Sequence, residues 1–380
     1  MMPRPAAAAA LLTIATVFPS AARPYAATRD GDVVRLEDTK HRTVVSVIPS
    51  VGNIAFELNV NGTNVLRWPY ASVEDFKARP GLSAIPFLAP WANRLDEPAF
   101  YANGKRYAFD MELGNVRGPI PIHGFITTSN QWQLIEAKAD GASAWVTSRL
   151  EFYRQPMWMK QWPFAHTIEM TDRLRDGVLQ VETKIVNLSS EPMPISVGFH
   201  PYFRVVDSPR AEWTISVPAR THWVLASTKA PTGETEPAEK LFPNPQSIRL
   251  KDYNLDDVFS DLVRDPQGRA HFVVNGRQQH IEVMFGPNWR GATVWSPNPS
   301  GTGLGSNAIV NPTAPTRAGQ ATPANAADPN FICFEPMAGI SNGLNLAQKG
   351  LYKEQQYVRV GGTWQESFWV EPTGFYGAQR

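Results

Sequence analysis

Four dipeptides that favour tight turns divide the chain, and each lies between two segments of extended character. They are Asn61-Gly62, Asn103-Gly104, Asp176-Gly177 and Asn275-Gly276. Asn-Gly and Asp-Gly suit the positive φ angles of a type I′ turn, so each dipeptide predicts a two-residue β-hairpin. A chain with hairpins spread along its length is constrained towards antiparallel sheets.

The segment over residues 178–188 has the two-residue period of a strand with one buried face. Its side chains at 179, 181, 183 and 185 are Leu, Val, Thr and Ile, and they alternate with Gln, Glu and Lys. Helical periodicity is scarce: "ASVEDFKARP", residues 71–80, predicts a short helix, and 33 Pro and 27 Gly disfavour long ones. We therefore expect an all-β fold, a large and mostly antiparallel β-sandwich.

Charge and length narrow the function classes. The formal net charge is only +1, so the sequence predicts neither a nucleic-acid-binding protein nor a protein drawn to acidic membranes. Large all-β folds of this length often form one domain, and we expect one over residues 30–375. The oligomeric state is left open.

The N-terminus has the pattern of a signal peptide. Arg4 precedes an apolar run over residues 6–18, which is followed by small residues at Ser20 and Ala22. The run is shorter than the roughly 18 residues that span a bilayer. We expect residues 1–22 to be removed and the mature protein, which has no other membrane-crossing segment, to be exported to the periplasm or secreted.

Residues 297–329 predict a long irregular loop. The segment consists mainly of Gly, Pro, Ser, Thr, Ala and Asn and connects the strand "ATVWSP" to the strand "FICFEP". Such a loop would overhang a binding cleft or line a partner interface.

Two histidines occupy stiff positions in the sequence. His200 follows an apolar segment in "PISVGFHPYF", residues 194–203, which predicts a strand, and His123 lies in "GPIPIHGFI". Each could be a buried structural histidine with a backbone partner. Two such sites in one chain favour a functional interpretation.

Other candidates carry charge beside apolar segments. Glu335 interrupts the apolar strand "FICFEP", where burial would raise the pKa of its carboxyl towards that of a general base. Asn93-Arg94 follow an aromatic-rich segment, and a guanidinium suits sugar hydroxyls or an ion pair. Asp256 and Asp257 precede Phe259 and could be only a turn signal. The single cysteine, Cys333, is expected to be buried.

Five motifs, in this order, resemble the aldose 1-epimerase (galactose mutarotase) family: "PWANRL", "PIHGF", "SVGFHPYF", "LDDVF" and "CFEP". The resemblance extends from about Val33 to Pro372. It implies a large antiparallel β-supersandwich with an open cleft, and a reaction that opens and recloses a sugar ring without a cofactor or metal.

The resemblance also implies roles for individual residues. Glu335 resembles the general base for the anomeric hydroxyl, His200 the general acid for the ring oxygen, and His123 the second histidine beside that oxygen. Asn93, Arg94 and Asp256 match substrate-binding positions. Asp257 stands where many family members have His, which leaves Asp256 versus Asp257 open. The implied substrate is a free hexose such as galactose or glucose, or the reducing end of an oligosaccharide.

Three alternatives stay open on the residues. A non-catalytic carbohydrate-binding protein would keep Arg94 and Asp256. A metalloenzyme would use His123, His200 and Glu335 as a two-His, one-carboxylate site. Glycoside hydrolysis usually needs two carboxylates, and one convincing candidate is present. The aromatic segment around Trp158 and Trp162 is typical either of core packing or of a sugar-stacking surface.

Overall fold

The computed structural model describes residues 24–116, 118–306, 328 and 330–376. The predicted signal peptide and most of the predicted loop over residues 297–329 lie outside the described residues.

The described chain forms 26 strands. In chain order they are β1 Tyr25–Asp30, β2 Val33–Asp38, β3 Thr43–Ile48, β4 Ile54–Val60, β5 Thr63–Asn64, β6 Phe87–Leu88, β7 Ala99–Ala102, β8 Lys105–Ala108, β9 Gln133–Ala139, β10 Ala144–Glu151, β11 His166–Arg175, β12 Val178–Asn187, β13 Met193–Ile195, β14 Gly198–Phe199, β15 Tyr202–Phe203, β16 Thr214–Ser216, β17 Ala219–Leu225, β18 Pro231–Pro237, β19 Ile248–Arg249, β20 Leu255–Leu262, β21 Ala270–Asn275, β22 His280–Phe285, β23 Gly291–Ser296, β24 Ile332–Met337, β25 Gln356–Val358 and β26 Thr363–Thr373.

Helices are short and few in this part of the chain. The α-helices are α1 Val73–Ala78, α2 Pro156–Gln161, α3 Ala238–Leu241 and α4 Gly343–Gln348, and single 3₁₀ turns cover Met111–Leu113, Phe152–Arg154, Arg210–Glu212 and Leu250–Asp252. Helix α1 confirms the predicted helix; it begins where the Ser72 side chain accepts a hydrogen bond from the amide of Asp75. No helix among the residues described combines the length and apolarity needed to cross a bilayer.

Two large antiparallel sheets dominate the fold. One has nine strands in the order β19-β16-β21-β22-β26-β12-β11-β10-β9, and the other has eight, in the order β18-β17-β20-β23-β24-β14-β6 with β15 also paired to β24. A five-stranded sheet, β1 to β5, and two hairpin-sized sheets complete the structure. The predicted all-β antiparallel sandwich is confirmed.

The core lies between the two large sheets. Phe199 on β14 packs edge-on against Phe368 on β26, with ring centroids 4.9 Å apart. Phe334 on β24 packs against Phe272 on β21 at 5.5 Å. The candidate site lies on the other face of the eight-stranded sheet. Cys333 is fully buried, as predicted.

Three of the four predicted hairpin turns are confirmed. Asn61, Asn103 and Asp176 have φ near +50°, and the glycine after each also has a positive φ. The prediction of a two-residue turn at Asn275-Gly276 is wrong. Four residues, 276–279, separate β21 from β22, and the amide of Gly276 donates to the carbonyl of Gln279. The side chain of Asp207 accepts from the amides of Gln278 and Gln279, which holds the wider loop.

The segment "PISVGFHPYF" is not one strand, in contrast to the prediction. It forms the short strands β13, β14 and β15, which pair with β25, with β6 and β24, and with β24 again. Pro201 carries no amide proton and cannot continue a strand ladder at that position. The interruption places His200 between β14 and β15, where its amide donates to the carbonyl of Pro86.

Candidate active site

The alternation of the central strands places four side chains on one face of the eight-stranded sheet. Asp256 on β20 lies opposite Trp295 on β23, and Trp295 lies opposite Cys333 on β24. Directly paired residues share a face, and so do residues two apart on one strand. Glu335, two residues after Cys333, therefore projects to the same side as Asp256 and Trp295.

The same alternation separates the two adjacent aspartates. Asp256 lines the cavity on this face, whereas Asp257 projects to the opposite face and is fully buried. There its carboxylate contacts Nε2 of His222 at 3.0 Å and accepts hydrogen bonds from the amides of Asp256 and Ser306. Asp256 is thus the aspartate positioned to meet a ligand.

Two loops bring the remaining polar groups over the sheet. The amide of His123 donates to the carbonyl of Asn93 at 2.8 Å, and Arg94 forms an isolated bridge with Ile122. Both Asn93 and His123 have left-handed backbone conformations, with φ of 54° and 61°. Gly124, next to His123, lies so close to Ala89 that a Cβ there would be 1.9 Å from its carbonyl oxygen. These contacts fix the two loops to each other.

All six predicted site residues line one cavity of about 330 Å³. They are Asn93, Arg94, His123, His200, Asp256 and Glu335. The structure therefore brings these six residues together, whereas Asp257, the alternative to Asp256, lies outside the cavity lining. Their chemical roles stay predictions.

His200 and Glu335 form a buried pair in close contact. Nε2 of His200 lies 3.1 Å from Oε1 of Glu335. His200 stacks on Tyr202 with ring centroids 4.7 Å apart, and His123 meets it edge-on at 5.3 Å. Nδ1 of each histidine and Oε2 of Glu335 are buried and have no hydrogen-bond partner among the described residues.

Burial governs the titration of this pair. It raises the pKa of Glu335 well above its usual range, and the charge of Asp256 acts in the same direction. Burial lowers the pKa of His200 to about 3 and also lowers that of His123. These directions favour a protonated Glu335 beside a neutral His200, and the two groups titrate as a coupled pair.

A second polar cluster lies beside the pair. Nη2 of Arg94 lies 3.4 Å from Oδ2 of Asp256, and Nη1 donates to the side-chain oxygen of Asn93 at 3.1 Å. That oxygen also accepts from the hydroxyl of Ser341, while Nδ2 of Asn93 donates to Thr293. The cluster presents both donors and acceptors, which is what a polyhydroxylated ligand requires.

The sequence analysis missed the apolar wall of the cavity. Leu82, Tyr202 and Trp295 line it, and the two aromatic rings meet at 5.8 Å. Tyr202 lies within the "GFHPYF" motif, and its position two residues after His200 was the available signal. Aromatic faces beside polar groups are typical of binding sites with one apolar and one polar side.

The segment around Trp158 and Trp162 belongs to the core rather than to a sugar-stacking surface. Trp162 is buried and stacks on Phe100 at 4.2 Å, and Trp158 packs on Phe152 at 5.3 Å. In the described ranges, no three or more His, Cys, Asp or Glu side chains are grouped so that they could hold a metal ion.

Comparison with known proteins places these features in a family context. A family model described as Aldose 1-epimerase matches residues 32–353. The fold is similar to a galactose mutarotase-like protein from Clostridium acetobutylicum, with 22% identity, a TM-score of 0.71, and coverage of 90% of this chain and 95% of the other. It is also similar to a galactose 1-epimerase from Lactobacillus acidophilus, with 13% identity, a TM-score of 0.68, and coverage of 93% of this chain and 98% of the other. A putative aldose 1-epimerase from Escherichia coli K12 has 16% identity and a TM-score of 0.59, with coverage of 88% of this chain and 97% of the other.

Proposed function

The chain belongs to the aldose 1-epimerase family, and on that premise we propose that it is an isomerase that interconverts the α and β anomers of a free hexose such as galactose or glucose. The observation that carries the proposal is the close approach of Nε2 of His200 to Oε1 of Glu335, 3.1 Å apart in the cavity. It supports an acid and a base that act on neighbouring atoms.

Ring opening needs two proton transfers around one carbon. The Glu335 carboxylate takes the proton from the O1 hydroxyl while the C1–O5 bond breaks and C1 becomes an aldehyde. The His200 imidazolium gives its proton to O5, which becomes the C5 hydroxyl. After rotation about C1–C2 the two groups exchange roles, the ring closes on the other face of C1, and the proton count is restored.

The spacing of the pair fits that reaction. O1 and O5 are bonded to the same carbon, so the base for one and the acid for the other must be close neighbours. The pair reaches the required state, Glu335 ionised and His200 protonated, when the carboxyl proton moves across the 3.1 Å between Oε1 and Nε2. A bound sugar supplies the hydroxyls that stabilise the charges when they separate.

The other groups suit the rest of a hexose. The guanidinium of Arg94 and the carboxylate of Asp256 offer paired contacts to ring hydroxyls, and Asn93 orients Arg94. His123 lies edge-on to His200 and would help to hold the ring oxygen. The rings of Tyr202 and Trp295 offer an apolar surface to the C–H face of the sugar.

Polarimetry tests this function directly. Freshly dissolved α-D-galactose or α-D-glucose should relax to its equilibrium rotation faster with the protein, and Glu335→Gln should remove the acceleration. Asp172→Asn is a matched control, because Asp172 is also a buried carboxyl but lies on β11, away from the cavity. Binding of a hexose without faster relaxation would instead support a carbohydrate-binding protein.

We also propose that residues 1–22 direct export, on the basis of the Arg4 region and the apolar run that follows it. The expected mature chain begins near Arg23. N-terminal sequencing of the protein from the periplasm or medium would test this. A chain that keeps Met1 and stays in the cytoplasm would contradict it.

A further inference from the structure

A second cavity of about 350 Å³ adjoins the catalytic one. The two cavities share the side chains of Leu82 and His123. The second is otherwise formed by residues 80–81, by residues 114–115, and by the segment over residues 122–128. The catalytic cavity measures about 330 Å³. The adjoining cavity is about as large, so it has room for a second sugar unit.

Among the described residues that line the second cavity, only the shared histidine is titratable. Leu82 and Phe125 supply apolar surface, and Asn115, Thr127 and Thr128 supply amide and hydroxyl groups. Thr127 donates to the carbonyl of His123, whereas the Thr128 hydroxyl makes no hydrogen bond to another described residue. An aromatic face with neutral hydrogen-bonding groups suits a neutral polyhydroxylated ligand.

The direction of this cavity follows from the proposed chemistry. Glu335 acts at O1, and the two histidines lie at the ring oxygen. The ring oxygen is bonded only to C1 and C5, and C1 is on the side of Glu335. The carbon beyond the ring oxygen, on the side of His123, is therefore C5, which carries the exocyclic C6. The second cavity opens from His123, so it faces the substituent on C6.

We propose that this adjoining cavity is a subsite for a neutral sugar unit linked to C6, so that the enzyme acts preferentially on the reducing ends of 1,6-linked disaccharides. This inference rests on the proposed function, since it takes the orientation of the hexose from the roles of His123, His200 and Glu335. The shared histidine would contact the reacting ring on one side and the linkage on the other.

The test compares anomerisation rates of unlabelled sugars by NMR exchange at equilibrium. Isomaltose and melibiose carry a 1,6 linkage, maltose and lactose carry a 1,4 linkage, and glucose and glucose 6-phosphate serve as references. We expect kcat/KM to be about tenfold or more higher for the 1,6-linked sugars than for the 1,4-linked ones. Glucose 6-phosphate should gain nothing over glucose.

A variant separates the two cavities. Thr128 lines only the second one, so Thr128→Trp should fill it and lower kcat/KM for isomaltose about tenfold while the rate with glucose is retained. Thr128→Ser, which keeps the hydroxyl and adds no bulk, is the matched control and should keep the rate with isomaltose. If Thr128→Trp fails to fold, Phe125→Leu removes the aromatic face with a smaller change in volume.

The outcomes distinguish the subsite from the function. Acceleration of glucose without any preference for 1,6-linked sugars would overturn the subsite and leave the proposed function intact. A preference for glucose 6-phosphate would overturn the neutral class of substituent. Acceleration of none of the sugars would overturn both, and acceleration of the 1,6-linked sugars alone would support the subsite.

Discussion

Nε2 of His200 lies 3.1 Å from Oε1 of Glu335 in a pair that is almost closed to water, with 5% of His200 and 1% of Glu335 exposed. Burial favours the uncharged forms of both groups, Glu335 protonated and His200 neutral, so the pair shares one acidic proton. In the proposed reaction the sugar places O1 and O5 at this pair, so the protonation of the pair should set the activity.

The pH dependence of activity should show this shared proton. The active form carries it, and because the pKa of Glu335 is raised, activity should persist through neutral pH and fall on the alkaline side as the proton leaves. Since Asp256 raises that pKa, Asp256→Asn should move the alkaline limb to lower pH. A kcat/KM profile of both proteins checks the shift; a limb that stays in place or moves up would contradict the shared-proton account.

Asp257 and His222 lie on the opposite face of the strand that carries Asp256, and they should hold that strand in position. His222 bridges Glu236 and Asp257, each at 3.0 Å, and Asp257 in turn accepts the amide of its neighbour Asp256. Asp257→Asn breaks a buried ion pair and should destabilise the fold by roughly 3–5 kcal/mol. It should also raise KM, because the strand that carries Asp256 loses an anchor.

The His222 pair has its own pH signature. Although burial lowers the pKa of His222, its two carboxylate partners together raise it above the usual value. The stabilisation is therefore present below about pH 6.5 and is lost as pH rises through the raised pKa. Urea unfolding at several pH values should show this loss in the wild type and not in His222→Gln. If the unfolding free energy changed equally with pH in the wild type and in His222→Gln, this account would be refuted.

The buried carboxyl of Asp172 should also make the stability of the fold depend on pH, because it is held uncharged rather than paired. Burial raises the pKa of its carboxyl to about 7, and its Oδ2 has no partner among the described residues. The folded state then holds a proton that the unfolded state releases near pH 4, so the free energy of unfolding falls as pH rises from about 4 to 7. Asp172→Asn should remove that fall and be more stable at pH 8 by a few kcal/mol.

The control for this prediction is an exposed aspartate. Asp261 pairs with Arg220 at the surface, and 57% of its side chain is accessible. Asp261→Asn should leave the pH dependence of the unfolding free energy as it is in the wild type. Calorimetry between pH 4 and 8 measures both variants, and an unchanged curve for Asp172→Asn would show that this carboxyl is ionised in the fold.

Gly124 should be essential for the position of His123. Its φ is +59°, and a Cβ would lie 1.9 Å from the carbonyl oxygen of Ala89. Gly124→Ala therefore combines a left-handed backbone cost of about 1–2 kcal/mol with a clash against backbone, and kcat should fall with stability. Gly104→Ala is the matched control, because Gly104 has φ of +71° and open space around it.

Comparison of Gly124→Ala with Gly104→Ala separates the cost of the left-handed backbone from the displacement of His123. Gly104→Ala should lose about 1–2 kcal/mol of stability and keep its activity. Thermal unfolding and polarimetry on both variants give the two quantities. If Gly124→Ala behaved like Gly104→Ala in both measurements, the close approach to Ala89 would not position His123.

Local patterns predicted the parts of the fold that local chemistry decides. Asp176-Gly177 gives its turn because both residues accept a positive φ, and Leu179 begins the buried side of β12 by alternation alone. The turn after Asn275 differs because Asp207, far away in sequence, holds the loop open. No local pattern carries that information.

The site divides in the same way. His200 and Glu335 stand out because a titratable group at an apolar strand is costly. The choice of Asp256 over Asp257 required the pairing of Asp256 with Trp295, and the apolar wall required the pairing of Tyr202 with Cys333. Both are cross-strand registers between distant segments, which one sequence does not specify.

The two loops that carry Asn93 and His123 are tied to each other, and Asn342 donates its amide to the carbonyl of Arg94 from the far end of the chain. The cavity therefore exists only when segments about 250 residues apart have met, the kind of distant contact that forms slowly during folding. The recovery of activity after dilution from denaturant would consequently report the completion of the whole sandwich. The fluorescence of a tryptophan such as Trp162, which stacks on Phe100, would instead report a contact between residues closer in sequence. The return of activity would therefore mark the last step of folding.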